Sequence, residues 1–136
     1  MRHVRMLVAG AAAAAAVAVA LSCGGSSPSS TTGPTGSCTP SSSPTTFVIM
    51  NNQICPQTLT VTRGTQITIL NSDSRVHEMY SDPHPEHTDC PELNQIGFLD
   101  SAQSRQSGNL NIARTCGFHD HGNPANDGLK GTITIQ

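Results

Sequence analysis

Leu59-Thr60-Val61-Thr62-Arg63-Gly64-Thr65-Gln66-Ile67-Thr68-Ile69-Leu70 decides the fold class of this chain. Leu59 to Thr62 alternates apolar and polar residues, the pattern of a half-buried strand. Gln66 to Leu70 alternates again and places Ile67 and Ile69 on the inward face. Arg63-Gly64 is a turn signal between two such runs, so the stretch reads as a β-hairpin.

Working outward, the same signals recur. Thr46-Phe47-Val48-Ile49-Met50 is a short β-rich run closed by Asn51-Asn52. Asn71 to Ser74 is loop chemistry, because short polar side chains bond their own backbone. Ser81 to Pro91 carries Pro83, Pro85 and Pro91, which rule out a regular helix or a central strand. Glu92 to Leu99 reads as a short helical turn, and Asp100 to Gly108 as polar and turn-like. Asn109 to Cys116 reads as a strand ending at Cys116-Gly117-Phe118-His119-Asp120-His121, which is taken as a tight loop. Leu129 to Gln136 is the cleanest strand, with Leu129, Gly131, Ile133 and Ile135 on one face. No segment has helical periodicity beyond a turn or two. Short strands with turn signals between them predict an all-β, antiparallel β-sandwich.

The ends of the chain read differently. Residues 1–22 have a basic start (Arg2, His3, Arg5) and a continuous apolar run from Met6 to Leu21, the pattern of a secretory signal. Ala20-Leu21-Ser22-Cys23-Gly24 resembles a bacterial lipobox, with Ala20 where Leu is usual, which makes Cys23 the expected lipidated residue. Residues 23–45 are dominated by Ser, Thr, Gly and Pro and cannot bury enough apolar surface to order themselves, so they form a flexible tether. The folded domain is expected over 46–136. The predicted location is outside the cytoplasm, lipid-anchored to the bacterial cell envelope and facing the periplasm or the exterior. Membrane contact is through the anchor only.

Composition excludes several classes. The chain holds seven Lys and Arg against nine Asp and Glu, and two of the seven, Arg2 and Arg5, fall in the leader. A mildly acidic mature chain with no basic patch excludes nucleic acid as a partner. There is no Trp, one Tyr and three Phe, a thin aromatic complement that favours support from a disulfide or a metal. Exported cysteines imply an oxidising compartment. With Cys23 acylated, Cys38, Cys55, Cys90 and Cys116 remain, and Cys38–Cys55 would tie the tether to the first strands.

Five of the six histidines lie between His77 and His121. Cys116 and His119 with His121 bring sulfur and nitrogen donors together, and His77, just after the Asn71–Ser74 loop, can supply a third ligand from the same end of a sandwich. Thiolate plus imidazoles in a trigonal set is the arrangement of electron-transfer copper. Structural zinc sites usually show paired Cys-x-x-Cys elements, and none is present. The reading favours His77, Cys116, His119 and His121 as copper ligands, with His84, His87, Glu78 and Cys90 as additional candidates. One alternative stays open. If Cys90 and Cys116 pair, no thiolate is available, and copper falls to some of the five histidines.

The segments Pro56 to Ile69, Asn71-Ser72-Asp73 ahead of His77, Cys116-Gly117-Phe118-His119 and Gly128-Leu129-Lys130-Gly131-Thr132-Ile133 together resemble a cupredoxin, the plastocyanin and azurin type of domain. The resemblance covers Phe47 to Gln136. It implies a Greek-key sandwich, a mononuclear Cu(I)/Cu(II) site formed by His77, Cys116 and a following histidine, and one-electron transfer to a redox partner protein. Two departures stand out. Leu129 occupies the place of the family's axial Met, leaving Glu78, Glu86, Met79 or a second histidine for that role. Two histidines follow Cys116 where the family has one. The surplus makes copper buffering or delivery, with a copper donor or acceptor as partner, the alternative function. An enzyme acting on a small oxidant or nitrogen oxide has less support, and the reading is of a non-enzyme.

Overall fold

A computed structural model describes residues 38–136 of the chain. The leader, Cys23 as lipid carrier and the tether up to Ser37 lie outside the described residues. Nine strands form two sheets: β1 (Thr46–Met50), β2 (Gln53–Cys55), β3 (Thr58–Val61), β4 (Thr68–Asn71), β5 (His77–Ser81), β6 (Gly97–Leu99), β7 (Ser104–Gln106), β8 (Arg114–Asp120) and β9 (Lys130–Ile135). One sheet has the order β2-β1-β4-β7 and the other β3-β9-β8-β5-β6. No α-helix occurs among the described residues. The helical turn expected over Glu92 to Leu99 is a 3₁₀ turn at Pro91–Gln95, followed by β6. The all-β sandwich is as predicted.

The stretch from Leu59 to Leu70 is strand, turn, strand, but it is not a hairpin. β3 joins one sheet, parallel to β9, while β4 joins the other, parallel to β1 and antiparallel to β7. The sheets are therefore mixed, not purely antiparallel. The reason lies in where the apolar faces go. Val61, Ile67 and Ile69 are all buried in one core, so the two strands must face each other across it rather than lie side by side. The turn at Arg63-Gly64 carries the chain over the end of the sandwich. Its backbone amides are held there, Arg63 donating to the Gln136 carbonyl at 2.9 Å and Gly64 to that of Leu110 at 3.0 Å.

Burial of apolar surface drives the assembly. Phe47 from one sheet meets Phe118 from the other edge-on at 4.9 Å. Phe118 lies opposite Gly131 across the β8–β9 pair, and its ring fills the space a side chain at 131 would need. Cys38 is bridged to Cys55, fastening the end of the tether beside β2, and Cys90 is bridged to Cys116.

β8 is displaced along the chain: it starts at Arg114 rather than Asn109 and ends beyond Cys116. It runs through Cys116, Phe118 and His119 to Asp120, because it is a central strand with β9 paired on one side and β5 on the other. The segment taken as a ligand loop is thus a strand interior, and that determines the site.

Candidate metal centre

Side chains alternate between the two faces of a strand. Along β8, Cys116, Phe118 and Asp120 point into the sandwich, and His119 points out. His121, two residues further, falls on the same side as His119. Along β5, His77, Met79 and Ser81 are buried inward, and Glu78 and Tyr80 face out. An odd spacing such as Cys116 to His119 places the two residues on opposite faces. One ion cannot be shared by both, nor by His77 and His119.

The outer face is where imidazoles collect. The proline-rich loop after β5 folds back over it. Asp82 N–H donates to the Gly117 carbonyl at 2.9 Å, Asp89 N–H to the Asp82 carbonyl at 2.7 Å, and His87 N–H to that of Pro83 at 2.7 Å. The Asn94 side chain clips the loop to β5, accepting from Ser81 N–H and donating to the His87 carbonyl, each at 2.9 Å. This brings His84 and His87 down onto His119 and His121. One ligand-capable nitrogen from each of the four lies within 4.8 Å of the others. Tyr80 supports the group from the side, stacked on His87 at 4.7 Å and edge-on to His121 at 5.5 Å.

His119 is the anchor. It is 2 % exposed, and its Nδ1 is hydrogen-bonded to Asp82 Oδ1 at 2.6 Å. That bond fixes which nitrogen is free. Among the described residues Nε2 of His119 has no hydrogen-bond partner although it is buried. An unmet buried polar atom costs roughly 1–3 kcal/mol, and a metal ion would remove that cost. A carboxylate on the far nitrogen of a ligating histidine is the usual means of orienting it. Gly117 makes room for the arrangement, since a side chain there would collide with the Asp82 carboxylate. His87 is tuned by other means. Its burial, then the neighbouring His121, His119 and His84, hold its pKa below the ordinary imidazole value, against a smaller opposing effect of Glu78. The favoured neutral form is the one that binds metal.

The remaining expected ligands are elsewhere. His77 is buried in the interior with both nitrogens engaged, Nδ1 with Asp120 at 2.7 Å and Nε2 with Asp73 at 3.1 Å. Cys116 and Cys90 share a disulfide, so neither presents a thiolate. Glu78 faces out but bonds the Tyr80 hydroxyl, and burial followed by that bond raises the Tyr80 pKa. Glu78 lines a separate recess with Arg75, Val76 and Phe98. Met79 and Leu129 are core residues, and Glu86 is exposed. The structure therefore brings His119 and His121 together with His84 and His87, and leaves His77 and Cys116 on the other side of the sheet. Asp82 and Tyr80 were not foreseen. Neither has a local spacing signal, because each meets its histidine only through strand pairing and the fold of the loop.

No family model matches the chain, and no curated protein matches it. Solved structures do. The oxidised plastocyanin of Dryopteris crassirhizoma superposes with a TM-score of 0.53 at 18 % identity, over 67 % of this chain and 99 % of that one. A purple cupredoxin from Nitrosopumilus maritimus gives 0.52 at 15 % identity, over 67 % and 98 %. Amicyanin from Paracoccus versutus gives 0.52 at 12 % identity, over 67 % and 79 %. The likeness is one of fold: the described residues form a cupredoxin-like sandwich.

Proposed function

We propose that this is a copper-binding protein of the cell envelope that buffers or delivers the ion, holding it with His84, His87, His119 and His121. The observation that carries the reading is His119, buried, fixed at Nδ1 by Asp82 and left with an unpartnered Nε2 among three other imidazoles. Imidazole donors suit copper, zinc, nickel and iron, and copper(II) binds most tightly of the divalent series. Four nitrogens with no thiolate make a non-blue site. His84 and His87 come from a surface loop, so two of the four donors are accessible to an acceptor that takes the ion away. The Cys23 anchor and the tether would hold the domain at the membrane surface, where incoming copper is met by a donor or acceptor protein.

The deciding experiment is a copper titration of the apo domain followed by electron-spin spectra. One Cu(II) per chain is expected, with nitrogen hyperfine structure and no intense visible thiolate band. His119→Ala should weaken binding more than about a hundredfold, beyond the ten- to hundredfold typical of an outer partner. An intense thiolate band lost in Cys116→Ala would sink the four-imidazole assignment. One-electron transfer at the same ion is the second reading, favoured by the cupredoxin-like fold. Fast, reversible reduction without loss of the ion would promote it, and ready transfer of copper to a competing chelator supports handling.

A further inference from the structure

We propose that the open flank of the imidazole group is an entry site for a small monovalent anion, which reaches the metal beside Lys130. The inference rests on the copper reading above. Strand register places Tyr80 opposite His119 on one side and Lys130 opposite it on the other. Directly opposed residues have Cβ atoms about 5 Å apart. His119 is therefore flanked by a phenol and an ammonium group on one sheet face.

The two flanks differ. On the Tyr80 side the space is filled, with the phenol ring stacked on His87 and edge-on to His121. On the Lys130 side there is a cavity of about 350 Å³ lined by Asp82, Pro83, His84, His119, Pro124 and Lys130. Two of the four proposed ligands thus border an opening large enough for several water-sized groups, each taking about 30 Å³. Among the described residues on its wall, Lys130 carries the one ammonium or guanidinium group. Asp82, the one acid among them, is hydrogen-bonded to His119 through Oδ1. Lys130 pairs with Asp127 at 2.7 Å, but Asp127 is solvent-exposed. Such a pair is weak and screened, so the ammonium on its flexible stem can exchange Asp127 for an anion in the cavity. Charge balance points the same way. Four neutral imidazoles give a bound Cu(II) no charged donor, and the nearby Asp82 carboxylate acts through His119 rather than as a ligand. An anion entering on the Lys130 side supplies a charged donor and gains from both cations.

Azide is the probe. The full chain, loaded with one Cu(II), is titrated with azide and followed by its azide-to-copper charge-transfer absorption and by electron-spin spectra. Saturable binding is expected. Lys130→Met should weaken it about three- to fivefold, the upper range for a half-exposed charge, and Lys130→Arg should restore it. The azide-free copper spectrum should be the same in all three proteins. If copper binds with its nitrogen signature but azide leaves the spectrum untouched, the entry site is wrong and the copper reading stands. Equal azide affinity in Lys130→Met removes Lys130 from the site and overturns the proposal. If copper itself does not bind, both readings fall.

Discussion

His77 and His119 sit on neighbouring strands of one sheet, each hydrogen-bonded to an aspartate, and they face opposite ways. His77 looks inward. Asp120 takes its Nδ1 and Asp73 its Nε2, and Asp73 is itself held by the backbone amides of Asn51 and Asn52 at 2.6 and 2.9 Å. No nitrogen of His77 is left to give. His119 looks outward with one nitrogen held by Asp82 and the other unpartnered. What separates a structural histidine from a candidate ligand here is not burial, since both are almost wholly buried. It is whether the second ring nitrogen already has a partner.

That contrast is open to direct attack. His77→Ala removes the group that Asp73 and Asp120 share and leaves the carboxylates with only their backbone donors, Asn51 and Asn52 for Asp73, Glu78 and Gly122 for Asp120. Two hydrogen bonds to carboxylates are lost, at about 1.5–3 kcal/mol each and about 3–6 kcal/mol together. Urea unfolding of the apo protein should show a loss of that size, while the copper affinity of the folded fraction stays within about threefold. A copper affinity that collapses together with stability would mean the two faces act as one site.

The bridge comes next. Cys90 and Cys116 are separated by 26 residues, and a closed loop of that length contributes about 3–4 kcal/mol in the chain-entropy account. Cys90→Ala/Cys116→Ala should lose about that much stability and keep the same nitrogen-only copper spectrum. A changed spectrum in the double variant would return sulfur to the coordination shell. Asp82→Ala tests the outer face alone. It should lower copper affinity about ten- to hundredfold and cost apo stability about 1–3 kcal/mol, because the buried His119 Nδ1 loses its partner. Gly117→Ala should act in the same direction, because a methyl group there displaces the Asp82 carboxylate. Measured together the two changes should not add.

Much of the fold was readable because alternation is a local signal. Ile67 and Ile69 face the core as their spacing requires, and so do Gly131, Ile133 and Ile135. Which sheet a strand joins is not local. The residues around Arg63-Gly64 satisfy hairpin chemistry and sheet-crossing chemistry equally, and only the shared core decides between them. The site followed the same division. The concentration of histidines was plain, and His119 and His121 stayed together because they are two apart on one strand. In a loop, Cys-x-x-His would bring Cys116 and His119 to one ion. Once β8 is seen to run to Asp120, parity alone turns the cysteine inward, toward Cys90. Asp120, between the two histidines, is turned inward by the same rule, and so finds His77. The Asp82–His119 bond depends on how the proline-rich loop lands on the sheet, and no spacing in the sequence encodes that.

The gentlest way to separate the two faces is pH, applied to the apo protein. On the outer face the His87 pKa is lowered by burial and by its histidine neighbours. The unfolded chain then binds more protons than the folded one as pH falls through about 6.5, the ordinary imidazole value, so stability declines from there toward the lowered folded value. On the inner face burial alone would raise the Asp73 and Asp120 pKa values. The hydrogen bonds from Asn52, His77 and Asn51 to Asp73, and those from His77, Glu78 and Gly122 to Asp120, outweigh it, and both end below the usual carboxylate value. Their contribution is intact above about pH 4, the ordinary aspartate value, and is lost as pH falls through the depressed folded values. Urea midpoints measured across the acid range should therefore fall in two separate steps. His87→Ala should flatten the upper step and spare the lower, and Asp73→Asn should do the reverse. A single merged step, altered alike by both variants, would show that the imidazoles outside and the carboxylates inside titrate as one network through the shared strand β8.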